Sequence, residues 1–245
     1  MPTLSLSPRW LSHLTSILAE HKKETIYTLS TVDTDGGSPT PRVRHVVHRD
    51  LLTTHPTRPL LISTTNVRTP KVHQLLTHPD TKGPTSEIAW WIAPASAQFR
   101  ISARTHILPD PSHEFHPKFP RQALSSTAGG DSGPEHPETV DDWEKVRIKA
   151  FNALPGFQRA SFAHPDPGTA LSNPEDAQTW PESLPESDKA ESEDDKKHMK
   201  EALKNFALMV VEPLEVELLE LQVRPNRRTQ WTLAEGEWKE VSIVP

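Results

Sequence analysis

The chain has 245 residues, of which 34% are hydrophobic, enough for one domain with a real core or for two small ones. It contains no cysteine, which excludes disulfides, thiolate metal sites and thiol catalysis. The net charge of −6 is unevenly spread: residues 166–195 hold ten acidic residues and one lysine, whereas the rest has 26 basic and 23 acidic residues. This mildly basic body suits a small anionic ligand, and a nucleic-acid partner is not expected because it would require a much stronger basic field.

The opening residues, MPTLSLSPRWLSHLTSIL, have neither the charged n-region nor the continuous apolar h-region of a signal peptide. No run in the sequence is long and apolar enough to span a membrane. The expected location is therefore cytoplasmic, with no membrane partner.

The first predicted elements are an amphipathic helix over residues 8–22 and two strands, TIYTLSTV and RVRHVVHRDL, joined by a turn containing Gly and Pro. The stretch LISTTNVRTPKVHQ, residues 61–74, then predicts a strand that ends where a helix begins. Thr69 is a suitable N-cap, Pro70 occupies the first helical position, and Val72 and Leu75 begin an apolar face. Lys71 in the first turn opposes the helix dipole, and a phosphate bound there would relieve that repulsion.

Two further strands follow: EIAWWIAP, predicted to be buried on both faces, and AQFRISARTHIL, which alternates cleanly. Residues 109–140 are rich in Pro, Ser, Gly and His and predict a surface insertion. A helix is expected over residues 141–162, and the acidic residues 164–196 predict a disordered insertion. The chain closes with strands and a hairpin turn near Glu235 and Gly236.

These elements predict a single domain over residues 1–245. The expected class is mainly β (α+β), a barrel or sandwich with peripheral helices and two loose insertions. No metal site is expected, because the 13 histidines form no HExxH pattern.

Basic side chains cluster in the strand region, beside hydroxyl-rich turns. Arginine and lysine in such places commonly hold phosphate, although solvated surface charge explains the same composition. Strict alternation puts Arg44 and Arg49 on opposite faces of one strand, so both reach one ligand only if the strand bulges or ends between them. The cluster comprises Arg42, Arg44, Arg49, Arg68 and Lys71, with Gln98 and Arg100 on the later strand.

Three strings in order resemble the pyridoxamine 5′-phosphate oxidase-related flavoproteins: RVRHVVHRD, STTNVRTPKVHQLLTHP and EIAWWIAPASAQFRISA. LPGFQRASFAHPDPG and the closing VEPLEVELLELQVRPNRRTQWTL are similar to further segments of the Alr4036-type branch of this family. The resemblance implies an FMN-binding split β-barrel, FMN as the cofactor and a homodimer.

Carried over position by position, the resemblance also implies which residues contact the cofactor. Arg44 and Arg49 match the ends of an Arg-x-x-x-x-Lys strand motif, with arginine in place of lysine. Thr69 and Lys71 match the Ser and Lys of a Ser-Arg-Lys signature, with Pro70 in place of its arginine. The implied cofactor-binding set is Arg44, Arg49, Thr64, Thr65, Arg68, Thr69, Lys71 and Gln98.

Departures from the family concern the substrate. Where pyridoxamine phosphate oxidases carry Arg-x-His near the C-terminus, this chain has NRRTQW, with Thr229 near the histidine position, and Leu221 stands where a flavin-contacting tryptophan would be. The expected function is therefore an FMN-dependent oxidoreductase whose small-molecule substrate and catalytic residues are unknown, with the vitamin B6 motif not retained. The alternatives are a non-catalytic FMN- or haem-binding module and a phosphate-binding interaction protein without flavin.

Overall fold

The computed structural model describes residues 7–53, 57–76, 83–125 and 140–245. Their strands are β1 (Ile26–Asp33), β2 (Thr40–Val47), β3 (Asp50–Leu52), β4 (Leu60–Asn66), β5 (Ser86–Ile92), β6 (Ala97–Leu108), β7 (Phe206–Glu220), β8 (Arg227–Ala234) and β9 (Glu237–Ile243). Their helices are α1 (Arg9–Glu20), α2 (Pro70–Leu76), α3 (Arg121–Leu124), α4 (Val140–Asn152), α5 (Gly156–Ser161) and α6 (Glu193–Asn205).

The described strands form one antiparallel sheet in the order β2-β1-β5-β6-β7-β4-β3, and this path is not closed. Strand β7, 15 residues long, pairs with β6 along its length, with β4 over its first half and with β8 over its second half. Strand β9 extends the sheet beyond β8. The predicted mainly β class with peripheral helices is confirmed.

Alternation along the strands gives the sheet a core face and an outer face. Leu29, Ile88, Ile101 and Val216 lie side by side on four successive strands and are all buried. Helix α1 covers this core with Trp10, Leu11 and Leu14, and α2 adds Val72 and Leu75. The apolar spacing predicted for both helices therefore faces the sheet, as expected for amphipathic helices.

Strand β5 differs from the prediction that it is buried on both faces. Its burial alternates, so Trp90 is fully buried while Trp91, on the outer face, is 47% exposed. The apolar run predicted burial on both faces because a strand covered on one face normally carries polar residues on the other, whereas the outer face of β5 carries Trp91.

The hairpin between β8 and β9 is confirmed at the expected place. Glu235 and Gly236 are its two central residues, and both have positive φ, 55° and 84°. Two-residue hairpin turns of this kind need positive φ at both positions, and glycine adopts it without steric cost.

The region between β6 and β7 is more ordered than the two loose insertions predicted for it. Phe119 and Leu124 are buried against Trp143 of α4. The predicted helix over residues 141–162 is instead two helices, α4 and α5, separated at Pro155, whose ring and missing N–H disfavour a helix interior. Residues 126–139 of the predicted surface insertion lie outside the described residues.

The acidic stretch 164–196 also differs from the predicted disorder. Leu184 is buried with Phe151, Met199 and Phe206 in an apolar cluster. The preceding residue, Ser183, approaches α5 so closely that a Cβ added to Gly156 would collide with its hydroxyl. One anchoring leucine and a glycine contact thus hold a segment whose composition alone predicts no core.

Among the described residues, no helix has both the length and the apolarity needed to cross a bilayer. The same part of the chain contains no group of three or more His, Asp or Glu side chains placed to hold a metal ion.

Candidate functional site

The turn between β4 and α2 gathers three of the predicted site residues. Thr69 Oγ1 donates to the carbonyl of Asn66 at 2.7 Å, and Thr65 Oγ1 lies 3.3 Å from Thr69 Oγ1. Pro70 opens the helix, as predicted, and Lys71 folds back so that Nζ donates to Thr69 Oγ1 at 3.0 Å. A lysine and two hydroxyls therefore meet at the start of α2.

Arg44 of β2 reaches the same helix from the sheet. Its Nη1 donates to Thr31 Oγ1 at 2.6 Å, and its Nη2 donates to Gln74 Oε1 at 3.0 Å. Thr31 Oγ1 in turn donates to Gln74 Oε1 at 2.6 Å. Because these partners are neutral, they orient the guanidinium without cancelling its charge.

Two cations, Arg44 and Lys71, thus lie close together, and the structure shows no counter-ion for them within the residues it describes. No carboxylate pairs with Arg44 or Lys71 in the described ranges, and neighbouring Arg42 is already paired with Asp33 at 3.1 Å. Burial and the charge of Arg44 lower the pKa of Lys71 to about 8, and burial also lowers the pKa of Arg44. An anion bound between them would relieve both effects.

The chemistry of this cluster fits a phosphate group. Arginine and lysine supply charge-assisted donors, and the hydroxyls of Thr31 and Thr69 lie within hydrogen-bonding distance of those cations. Thr31 and Gln74 were missed in the sequence. Gln74 stands three residues after Lys71 on the same helix face, a spacing that could have revealed it, whereas Thr31 carries no local signal.

Arg49 and Arg68, two other predicted site residues, contact the helical region instead. Arg49 Nη2 donates to Gln158 Oε1 of α5 at 2.9 Å. Arg68 donates to the carbonyls of Phe162 and His164 and pairs with Asp166 at 2.7 Å. The charge of Arg68, which the resemblance assigns to the cofactor-binding set, is therefore paired with a carboxylate. Strand β2 ends at Val47, which releases Arg49 from strict alternation.

Gln98 projects from the opposite face of the sheet to Arg44. Arg44 lies beside Leu29, in the row of core-facing residues that continues to Ile101 on β6. Gln98 is three residues from Ile101, so its side chain faces outward, between Trp91 and Leu219. Thr64 is half-buried on β4 opposite Leu208.

The two histidines nearest the strand motif do not join the cluster. His45 lies on the outer face, where Nδ1 is 3.3 Å from Thr28 Oγ1. His48 packs against Trp90 with ring centroids 5.2 Å apart, and its buried Nδ1 has no hydrogen-bond partner among the described residues. Burial lowers the pKa of His48 to about 4, so the ring is neutral near pH 7.

Residues 7–109 match the model of one protein family, the pyridoxamine 5′-phosphate oxidase, FMN-binding domain. The fold matches that of a pyridoxamine 5′-phosphate oxidase-related, FMN-binding protein from Nostoc punctiforme with a TM-score of 0.68 at 20% identity, over 97% of this chain and 98% of that one. A protein related to general stress protein 26 from Clostridium acetobutylicum is more distant, with a TM-score of 0.41 at 7% identity, over 93% of this chain and 97% of that one. No curated protein matches the sequence.

The family match and the fold agree with the resemblance carried by the sequence strings, although neither singles out the Alr4036-type branch. The matched segment contains β1 to β6 and α2, and hence both cations of the cluster. Residues 7–109 therefore carry an FMN-binding domain of the pyridoxamine 5′-phosphate oxidase-related family, with FMN as its cofactor.

Proposed function

We propose that this protein is an FMN-dependent oxidoreductase acting on a small organic molecule in the cytoplasm. The observation that carries the proposal is the pair Arg44 and Lys71, two cations that have no counter-ion among the described residues and lie beside the hydroxyls of an FMN-binding domain. In this proposal Arg44, Lys71 and Thr69 bind the phosphate of FMN. The absence of cysteine suits the reducing conditions of that compartment.

Bound FMN supplies hydride acceptance, chemistry that no side chain of this chain provides. The contribution of the chain is position and charge. Thr31 and Gln74 hold the guanidinium of Arg44 in one orientation, so little side-chain entropy remains to be lost when the phosphate binds. Arg49, which has a neutral partner in Gln158, is proposed to contact the flavin from the side of α5.

A non-catalytic FMN-binding module is the second candidate, and one observation favours it. The contacts of the cluster are made by Arg, Lys, Thr and Gln, and His48 is buried and neutral, so the one group of the cluster that titrates near neutral pH is Lys71, which is assigned to the phosphate. Hydride transfer to a flavin does not by itself need an acid–base group, which is why the oxidoreductase remains the first candidate.

Anaerobic reduction of the FMN-loaded protein separates the two candidates. The experiment adds reduced nicotinamides, pyridoxine 5′-phosphate and a panel of small alcohols and amines, and follows the loss of the visible flavin absorbance. Saturable reduction by one compound, faster than that of free FMN, supports the oxidoreductase. Reduction of bound FMN no faster than that of free FMN, for every compound, supports the binding module.

The affinity for FMN is expected to fall as the pH rises through about 8. The pKa of Lys71 in the free protein is about 8, and a phosphate beside it raises that pKa in the complex. Below pH 8 Lys71 is charged in both states, whereas above it binding requires uptake of a proton, with up to about tenfold lower affinity per pH unit. Fluorescence titrations from about pH 7 to about pH 9.5 measure this slope. Lys71→Gln should bind more weakly at pH 7 and lose the slope, and an unchanged slope in that variant would assign it to another group.

We further propose that the protein is a homodimer with FMN at the interface. One flavin cannot contact Arg44 and Gln98 of the same chain if the sheet separates them, but it can if Gln98 comes from the outer face of a second copy. Exposed Trp91 beside Gln98 gives that face the aromatic character enriched in interfaces.

Mixing two variants tests this sharing. Lys71→Ala and Gln98→Ala are each expected to bind FMN weakly as homodimers. After unfolding and refolding together, half of the dimers should be hybrids with one intact site, restoring about a quarter of the wild-type sites. Stoichiometric FMN titration measures the restored fraction, with refolded Lys71→Ala alone as the control. No restoration, despite formation of the hybrid, would mean that both residues serve the same flavin from one chain. Normal FMN binding by Gln98→Ala alone would mean that Gln98 has no role.

A further inference from the structure

A cavity of about 230 Å³ with polar and apolar walls lies at the carboxyl end of α2, away from the Arg44–Lys71 cluster. Leu75 and Leu76 of α2 form one wall, and residues 104–107 of β6 form another. None of its lining residues belongs to the set expected to bind FMN. The remaining walls come from Arg58, Thr85, Lys118, Phe119, Pro120, Ala123, Leu124 and Glu212.

A buried carboxylate stands in the wall of this cavity. Glu212 of β7 is 2% exposed; Arg58 donates to its Oε1, and His106 Nε2 lies 3.3 Å from its Oε2. Burial alone would raise the pKa of Glu212, but the hydrogen bonds from His106 and Arg58 and the charge of Arg104 outweigh it and lower the pKa to about 2. Glu212 is therefore a fixed anion at all physiological pH values.

Among the described lining residues, the cations outnumber this anion. Arg104 Nε lies 3.2 Å from Glu212 Oε2, but the pair is not aligned as a hydrogen bond, and this buried nitrogen has no other partner in the described ranges. Lys118 Nζ lies over the ring of Phe115, 4.8 Å from its centroid, and pairs with no carboxylate in the described part of the chain. Among the described residues, the wall of the cavity thus has three cationic side chains, Arg58, Arg104 and Lys118, and one carboxylate.

The rest of the wall is apolar. Half of the lining residues are hydrocarbon side chains, among them Ile107 and Phe119. Inorganic phosphate would leave that half without an apolar partner, whereas an organic acid would supply a carboxylate for the cations and a hydrocarbon body for the apolar wall. The volume is below the 300 to 1,000 Å³, roughly, of pockets for drug-sized ligands, which limits the occupant to a small molecule.

We infer that this cavity binds a small organic carboxylate with an apolar body. The carboxylate accepts hydrogen bonds from Arg104 and Lys118, and the apolar body packs against Leu75, Ile107 and Phe119. This site is separate from the flavin cluster, so the inference does not depend on the proposed reaction.

Calorimetric titration of the FMN-loaded protein with benzoate tests the inference, beside benzamide, which has the same shape without the charge, and inorganic phosphate. Wild-type protein is expected to bind benzoate saturably and to bind benzamide and phosphate at least about tenfold more weakly. Lys118→Gln, which leaves Glu212 and its partners intact, is expected to lose about tenfold in benzoate affinity. Arg104→Gln should lose at least as much.

Arg100→Gln is the matched control, because Arg100 lies on the outer face of the same strand and is paired with Glu87. It should bind benzoate like the wild type. The inference is overturned if wild-type protein does not bind benzoate, if benzamide or phosphate binds as tightly, or if Lys118→Gln, folded by circular dichroism, binds benzoate unchanged. If the wild-type protein binds benzoate but does not bind FMN, the proposed cofactor site is wrong and the carboxylate site is retained.

Discussion

Replacing both Arg44 and Lys71 by alanine is expected to weaken FMN binding at least about 100-fold. Each residue supplies a charged hydrogen bond to the phosphate, worth about 1.5–3 kcal/mol, and the two act on one group. The loss should appear as a shift of the flavin-fluorescence titration at pH 7. Free riboflavin, which lacks the phosphate, should bind wild type and double variant with nearly the same affinity.

Arg42→Ala is the matched control for this experiment. Arg42 lies two residues from Arg44 on the same strand and carries the same charge, but its partner is Asp33. It should change FMN affinity by less than about threefold, because an exposed ion pair contributes little. A comparable loss in Arg42→Ala would mean that the general field of the strand, and not the cluster, attracts FMN.

Lys71 is expected to favour FMN binding but to lower the stability of the FMN-free protein. Without FMN, Lys71→Ala should be as stable as the wild type or more so below pH 8. The lowered pKa of Lys71 means that the folded protein holds its charged form unfavourably, and the substitution removes that charge. Saturating FMN should reverse the order, since only the wild type gains the full binding free energy.

Arg147→Met is expected to lower the free energy of unfolding by about 2–4 kcal/mol, because it leaves backbone carbonyls and two partly exposed carboxylates without a buried charged donor. Arg147 of α4 is 1% exposed and pairs with Glu144 at 2.7 Å and with Asp110 at 3.4 Å. It also donates to the carbonyls of Leu203 and Phe206, at the junction of α6 and β7. Methionine fills much of the volume but leaves these acceptors without a donor.

Urea denaturation followed by circular dichroism measures the loss. Lys149→Met, on an exposed position of the same helix, should change the unfolding free energy by less than about 0.5 kcal/mol. Arg147→Met should still bind FMN with near wild-type affinity in the absence of urea, because Arg147 makes no contact with the cluster. A cost below about 1 kcal/mol would show that water or rearrangement replaces the lost donor.

Local patterns predicted the elements that local interactions decide. Thr69, Pro70 and Lys71 marked the start of α2, because a fixed proline φ and a missing N–H belong at the first helical position. Glu235 and Gly236 marked the hairpin for a similar reason. Both depend on the conformation of a few adjacent residues.

Features set by distant residues were not predictable in this way. Arg68 is paired with Asp166, 98 residues further along the chain, and Arg49 with Gln158, 109 residues further along. Leu184 is one of the few apolar residues in an acidic stretch, and no periodicity marks its burial. The part of the site formed by the turn between β4 and α2 was predictable from the sequence. The contacts of Arg49 with Gln158 and of Arg68 with Asp166 were not.

Strand β7 has a consequence for how the molecule is made. It separates β4 from β6 in the sheet, yet it comes almost 100 residues after β6 in the chain. During synthesis, the segment that carries the flavin cluster emerges with two strand edges open, and they stay unpaired until residues 206–220 leave the ribosome. The excursion between β6 and β7 is thermodynamically mild, since the closure entropy of a loop grows only with the logarithm of its length. Its cost is kinetic, because the edges of β4 and β6 can pair with other chains until β7 has been synthesised.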